Sequence, residues 1–230
     1  MKKILLTIFT IAFITHCLAQ DTLEIKNKLA DKVTEIFHVI KGNEQVKVGL
    51  YHAVYKRNIP VASGNYVNGK RTGTWFFFDS KGELLQTYNY NLSRLQYEAP
   101  ELQGSDLRYL VDNELTDTDR TTKPVKIGGR YFGYLPYLGL YRTPFEPNEV
   151  AVSAFVGVVE LLISPLGRLA DYKVHLISNY YDYDRTTTMD LNLFKDEDKQ
   201  FVPATINSEP VLSRIVIKCK LNSDGGLDFY

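Results

Sequence analysis

The feature that most constrains this chain is an internal repeat in residues 46–90. Gly49-Leu50-Tyr51 returns 24 positions later as Gly73-Thr74-Trp75, and Asn65-Tyr66 returns at the same offset as Asn89-Tyr90. A fixed period of this size points to one supersecondary unit used twice, each copy burying a face the other cannot bury alone.

Each copy reads as a β-hairpin. In the first, the apolar run Leu50 to Tyr55 is broken by Lys56-Arg57-Asn58-Ile59-Pro60 and resumes from Val61 to Val67. In the second, Thr74 to Phe78 and Glu83 to Tyr90 flank Asp79-Ser80-Lys81-Gly82, with Asp first and Gly last as a type I turn prefers. Asn68-Gly69 between the copies is a tight-turn signal, because both residues tolerate positive φ. Side chains alternate along a strand, so Trp75-Phe76-Phe77-Phe78 puts aromatic rings on both faces and predicts cover on both sides.

The stretch Gly64-Asn65-Tyr66-Val67-Asn68-Gly69-Lys70-Arg71-Thr72-Gly73-Thr74-Trp75, followed by Asp79 and Gly82, resembles the variant MORN repeat of the YwqK-type antitoxin family. The resemblance implies a repeat β-meander of a kind found in bacterial envelope proteins. Two readings of its aromatic residues stand side by side. Tyr51, Tyr66, Trp75 and Phe77 form a partner-binding surface, or they form the packed core of the meander, as aromatic residues in strands commonly do.

The N-terminus carries an address. Met1-Lys2-Lys3 is basic, Ile4 to Ile14 is apolar, and Cys17-Leu18-Ala19 supplies small residues. This is the pattern of a secretory signal peptide cleaved after Ala19, and the apolar run is too short for a stable spanning helix. A periplasmic or extracellular location follows, with no transmembrane segment in the mature chain. Lipidation at Cys17 is the alternative, disfavoured by His16 where a lipobox has a small residue. Lys plus Arg and Asp plus Glu both number 27. A formally neutral chain gives no sign of a nucleic-acid partner.

At 230 residues the chain is long enough for two small units. The sequence divides into a signal peptide (1–19), a β-meander (20–100), a polar linker (101–122) and a second domain (123–230). Within 21–41, Leu29, Val33, Ile36 and Ile40 follow helical spacing, but the β-branched bias after Val33 favours a short helix or coil and then a strand. In the linker, Leu107 to Leu115 predicts one short helix. Asp112, Glu114, Asp117 and Asp119 form an acidic cluster without the glycine and terminal glutamate of a calcium loop. His38 and His52 have no second ligand at metal-binding spacing, so neither a metal nor any other cofactor is expected.

In the second domain, Val150 to Ile163 and Arg168 to Ile177 read as strands around the turn Ser164-Pro165-Leu166-Gly167. Thr186 to Gln200 reads as a helix, and Val211 to Leu221 as a last strand with Cys219 on its apolar side. The expected fold class is therefore β-rich α+β: an antiparallel meander of hairpin repeats followed by a small α+β layer structure.

Gly128-Gly129, Tyr137-Leu138, Gly157-Val158-Val159, Gly167, Phe201-Val202-Pro203-Ala204 and Pro210-Val211 follow the order of landmarks in the C-terminal domain of TonB, which residues 121–230 resemble. The resemblance implies binding of an envelope or outer-membrane protein by strand addition. The last strand would be the free edge, with Arg214, Lys218 and Lys220 on its polar side. Charges on an edge also prevent unwanted pairing. The nine prolines are dispersed and form no spacer tract, which argues against force transmission. The expected function is an exported, non-catalytic binding or scaffold protein of the bacterial envelope. The alternatives are an envelope-polymer hydrolase using Glu160 and Asp171, and a toxin-neutralising repeat protein.

Overall fold

A computed structural model describes residues 21–101 and 103–230. The expected signal peptide, its cleavage site after Ala19 and Cys17 lie outside the described residues. The first unit is a seven-stranded antiparallel sheet in which every strand pairs with its neighbours in sequence: β1 (Thr22–Ala30), β2 (Val33–Ile40), β3 (Asn43–Tyr55), β4 (Ile59–Val67), β5 (Lys70–Phe78), β6 (Leu84–Asn89) and β7 (Arg94–Glu98).

Turn chemistry explains this local connectivity. Val67 pairs with Lys70 across Asn68 (φ 49) and Gly69 (φ 77), a two-residue hairpin with both central residues left-handed. In the Asp79–Gly82 turn, the Asp79 carbonyl accepts from Gly82 N at 3.1 Å. Its carboxylate accepts from Lys81 N at 2.8 Å and Glu83 N at 2.9 Å. The repeat has a backbone signature as well. Gly49 and Gly73, one period apart, both take positive φ, at 68° and 65°. The predicted helix or coil ahead of β2 is instead the edge strand β1, which pairs with β2 from Thr22↔Ile40 to Ala30↔Val33. Helical spacing of four apolar residues lost to the pairing that the β-branched run in β2 offered.

The second unit is a six-stranded antiparallel sheet. Its strands are β8 (Leu107–Val111), β11 (Val156–Ile163), β12 (Leu169–Ser178), β13 (Tyr183–Thr188), β17 (Ser213–Leu221) and β18 (Leu227–Asp228). Short strands β9 (Thr121–Thr122), β10 (Val125–Lys126), β14 (Phe201–Val202), β15 (Ala204–Ile206) and β16 (Glu209–Val211) form two further small sheets, β10-β14 and β16-β15-β9. The only α-helix among the described residues is α1, Leu135–Leu140.

Three expectations are corrected here. Residues 107–111 are a strand rather than part of a helix, because β8 finds its ladder on β17, about a hundred residues away in the chain. Residues 186–200 are not a helix. The β-branched run Thr186-Thr187-Thr188 extends β13, and 3₁₀ turns at Leu191–Leu193 and Asp196–Lys199 follow, the first capped by the Asp190 carboxylate on Asn192 N at 2.9 Å. The last long strand is not an edge. β17 pairs with β11 from Ser213 to Lys220 on one side and with β8 and β18 on the other. Alternation in a sequence shows which side chains are buried; it does not show how many neighbours the backbone has.

Two cores result. One lies under the second sheet and contains Val159, Leu161, Tyr172, Val174, Ile215 and Ile217. The other lies on one face of the meander, around Tyr51, Trp75 and Phe77. The segment 127–138 serves both: Ile127, Phe132 and Leu135 pack in the meander core, and Tyr134, Tyr137 and Leu138 in the other.

Candidate functional site

The four aromatic residues singled out in the repeat converge, but inward. Tyr51 is 2 % exposed, Tyr66 4 %, and Trp75 and Phe77 are fully buried. The Trp75 ring centroid lies 5.1 Å from that of Tyr51, 5.2 Å from Tyr66 and 6.1 Å from Phe77. Gly64 makes this packing possible, since a Cβ there would sit 2.2 Å from the indole. These rings are core, and the reading of them as a contact surface is set aside.

The inner face also collects charge at the seam with the second unit. Glu35 accepts from Lys47 Nζ at 3.2 Å and from the Tyr51 hydroxyl at 3.0 Å. Lys47 Nζ lies 3.8 Å from the Phe37 ring centroid. Burial lowers the pKa of Lys47, with Glu35 opposing the shift, and pushes that of Tyr66 up to about 12. Arg71 donates to the Tyr66 hydroxyl at 3.2 Å and to the Tyr90 hydroxyl at 2.8 Å. A cavity of about 60 Å³ lies here, lined by Glu35, Lys47, Tyr66, Arg71, Lys195 and Glu197 among others.

Gln86 fastens the two units together. It is fully buried in β6, and its Oε1 accepts from Gly128 N at 2.8 Å and Gly129 N at 3.1 Å. Its Nε2 donates to Lys126 O at 2.9 Å and to Glu98 Oε2 at 2.7 Å. Gly129, at φ 72°, places its Cα where a Cβ would meet Phe77 at 3.1 Å. Lys126 itself is buried and donates to Asp198 O at 2.7 Å and Gln200 O at 3.1 Å. Desolvation lowers its pKa to about 7, although Asp198 pulls the other way.

With the inner face occupied, the meander has one free face. The register gives a single line of side chains across all seven strands: Lys26, Ile36, His52, Ser63, Phe76, Thr87 and Tyr97. Phe76 and Tyr97 are each 43 % exposed, and Leu50 on the same face is 47 % exposed. The aromatic run in β5 is thus covered on one side only, where cover on both was expected. Both histidines that lie in β2 and β3 belong to this outer face.

Arg214, Lys218 and Lys220 lie on the other sheet and form no common site with the aromatic residues. They point from the outer face of β17, opposite Ile215, Ile217 and Cys219. Arg214 pairs with Asp112 at 3.1 Å and Glu160 at 3.3 Å, and Lys218 Nζ sits 5.1 Å from the Tyr230 ring centroid. Glu160 also meets His175 at 3.6 Å, and Asp171 pairs with Lys173 at 3.0 Å. The two carboxylates therefore belong to a charge ladder on an open face. Cys219 is fully buried, and burial pushes its thiol up to about 12. In the acidic stretch, Asp119 caps a turn, accepting from Thr116 N at 2.8 Å and from Asn207 Nδ2 at 2.6 Å.

Among the described residues no three His, Cys, Asp or Glu side chains gather as metal ligands, and no helix is long and apolar enough to cross a membrane. Sequence reasoning missed Gln86, Lys126 and Phe76 as determinants. Phe76 was legible in the alternation of β5, whereas Gln86 and Lys126 carry no local signal. Comparison with protein-family models, curated proteins and solved structures finds no match.

Proposed function

We propose that the protein is an exported binding or scaffold protein of the bacterial envelope, and that the outer face of the meander is its contact surface. The observation that carries this reading is the asymmetry of the seven-stranded sheet. One face is sealed by the second unit, and the other presents Leu50, Phe76 and Tyr97 to solvent, the first two from strands paired on both sides and the third from the edge strand β7. Exposed aromatic and aliphatic side chains gathered on one face mark interaction sites. Strand addition at β17 plays no part, since that strand has neighbours on both sides. Contact through side chains of the outer face takes its place.

The test places a photo-crosslinking residue at Phe76 or Tyr97 in cells, with Tyr180, which is 79 % exposed on the second unit, as the control position. Discrete adducts from positions 76 and 97, suppressed by Leu50→Glu and missing from position 180, are the expected result. Adducts that are equal at all three positions, or none at the outer face, overturn it.

A further inference from the structure

Arg71 is a buried guanidinium in the meander whose three nitrogens all have partners, one of them from the second unit. Its side chain is 9 % exposed, and its guanidinium carbon lies 4.8 Å from the Trp75 ring centroid. Two of its donors go to the hydroxyls of Tyr66 and Tyr90, residues one repeat apart. Both acceptors are neutral, so this cradle orients the fork without neutralising it. Among the described residues, the one carboxylate within ion-pair distance is Glu197, with Nε to Oε2 at 3.4 Å and Nη2 to Oε1 at 3.4 Å. A close charge-assisted pair has N to O distances of roughly 2.7–2.9 Å. Glu197 thus approaches with the two-pronged geometry a guanidinium prefers, but sits too far out to be a tight partner.

Glu197 arrives from far along the chain on the 3₁₀ turn Asp196–Lys199, and its side chain is 31 % exposed. The strap that carries it is anchored by other contacts. Lys126 donates to Asp198 O and Gln200 O, the Tyr137 hydroxyl donates to Asp198 O, and Arg168 pairs with Asp196 at 3.5 Å. The glutamate side chain can therefore swing out while the strap stays in place. The small cavity beside Arg71 has Lys47 and Lys195 in its wall as further positive charge and Glu35 and Asp198 as negative charge, with Lys47 paired to Glu35 at 3.2 Å.

We propose that the Arg71–Tyr66–Tyr90 cradle is a carboxylate-binding site and that Glu197 is its built-in occupant, an autoinhibitory contact displaced when a ligand carboxylate enters. The ligand group is one carboxylate on a narrow stem, as the size of the cavity requires. This inference is independent of the outer-face reading, because the cradle lies on the opposite face of the sheet.

The chain carries its own reporter, since Trp75 is its single tryptophan and stacks under the Arg71 guanidinium. Titration of Glu197→Ala with N-acetylglycine, which presents a terminal carboxylate, and with N-acetylglutamate N-methylamide, which presents a side-chain carboxylate, distinguishes the two sources. The variant is expected to show a saturable fluorescence change with at least one probe, at a concentration at least tenfold below that needed by the unaltered protein. N-acetylglycinamide, a neutral analogue, is expected to leave the signal unchanged. In the same variant the Arg71 Nε–H resonance should shift on addition of the effective probe, a readout that needs no further substitution. A folded Glu197→Ala protein that responds to neither carboxylate, or responds equally to the neutral amide, overturns the proposal. So does an unmoved Arg71 resonance at saturating probe.

Discussion

The two sheets of this protein are built on opposite plans. In the meander each strand pairs with the next one along the chain, and the longest link between consecutive strands is a few residues. In the second sheet the central ladder joins β11 to β17, and β17 to β8, across stretches of fifty to a hundred residues. Local pairing is encoded by turns, so it is written where it acts. Distant pairing is decided by which strands can jointly seal a core, and closing such long loops carries an entropy cost that only the finished sheet offsets. The consequence is a first unit whose order follows from its repeats and a second whose order follows from its packing.

That contrast can be broken most severely at Trp75. Trp75→Ala removes the ring that Tyr51, Tyr66, Phe77 and Tyr90 all contact. The expected loss is about 4 kcal/mol, in the range for large aromatic truncations. Chemical denaturation followed by far-UV circular dichroism checks it; a loss under 1 kcal/mol would show that the cluster is not the centre of the meander.

Gln86→Leu attacks the join between the sheets. It leaves Gly128 N, Gly129 N and Lys126 O without their partner, at an expected cost of about 3 kcal/mol from several orphaned buried groups. The expected signature is separate melting of the two units in calorimetry, with Cys219 alkylation following the second unit. A single transition in this variant would mean that the shared segment 127–138 couples the cores without Gln86.

The seam also sets a pH dependence. Lys126 has a folded-state pKa of about 7, below its ordinary 10.5, because burial penalises its charge. Between those values the unfolded chain binds more protons, so stability rises with pH from 7 to about 10. Lys47, also lowered by burial, acts in the same direction. Above pH 10 the sign reverses, since Tyr66 holds its proton to about 12 in the folded state. Denaturant midpoints measured from pH 7 to 9 should climb, and Lys126→Met should flatten the climb. A midpoint that falls across this interval contradicts the burial of Lys126.

The smallest effect is expected at a turn. Gly69→Ala forces a Cβ into φ 77° at a site with open space around it, so only backbone strain of about 1 kcal/mol results. The midpoint should drop slightly with no change in cooperativity. A large drop would show that the Asn68–Gly69 turn sets the register of the repeat as well as joining its copies.

Much of the first sheet was legible in the sequence. The 24-residue offset, the Asn68-Gly69 pair and the Asp79–Gly82 turn each specify a hairpin by chemistry that acts within a few residues. The candidate site was legible only in part. Tyr51, Tyr66, Trp75 and Phe77 were found as a group, but alternation assigns two faces without saying which one a later segment will cover. Phe132, 55 residues beyond Phe77, covers theirs and leaves Phe76 outside. In the second unit the signals misled where pairing was distant. Leu107 to Val111 has no hairpin partner nearby, and the strand character of Thr186-Thr187-Thr188 was outweighed by the apolar residues that follow.

By itself, the sequence determined that residues 46–90 form hairpins, where their turns fall, and which side chains of each strand are apolar, because those properties depend on φ preferences and on the two-residue period of a strand. Only the tertiary structure decided which face became core, that β17 has neighbours on both sides, and that Gln86, Lys126 and Arg71 meet partners across a seam. Those outcomes depend on desolvating whole surfaces at once, and no local stretch of chain contains the other half of such a surface.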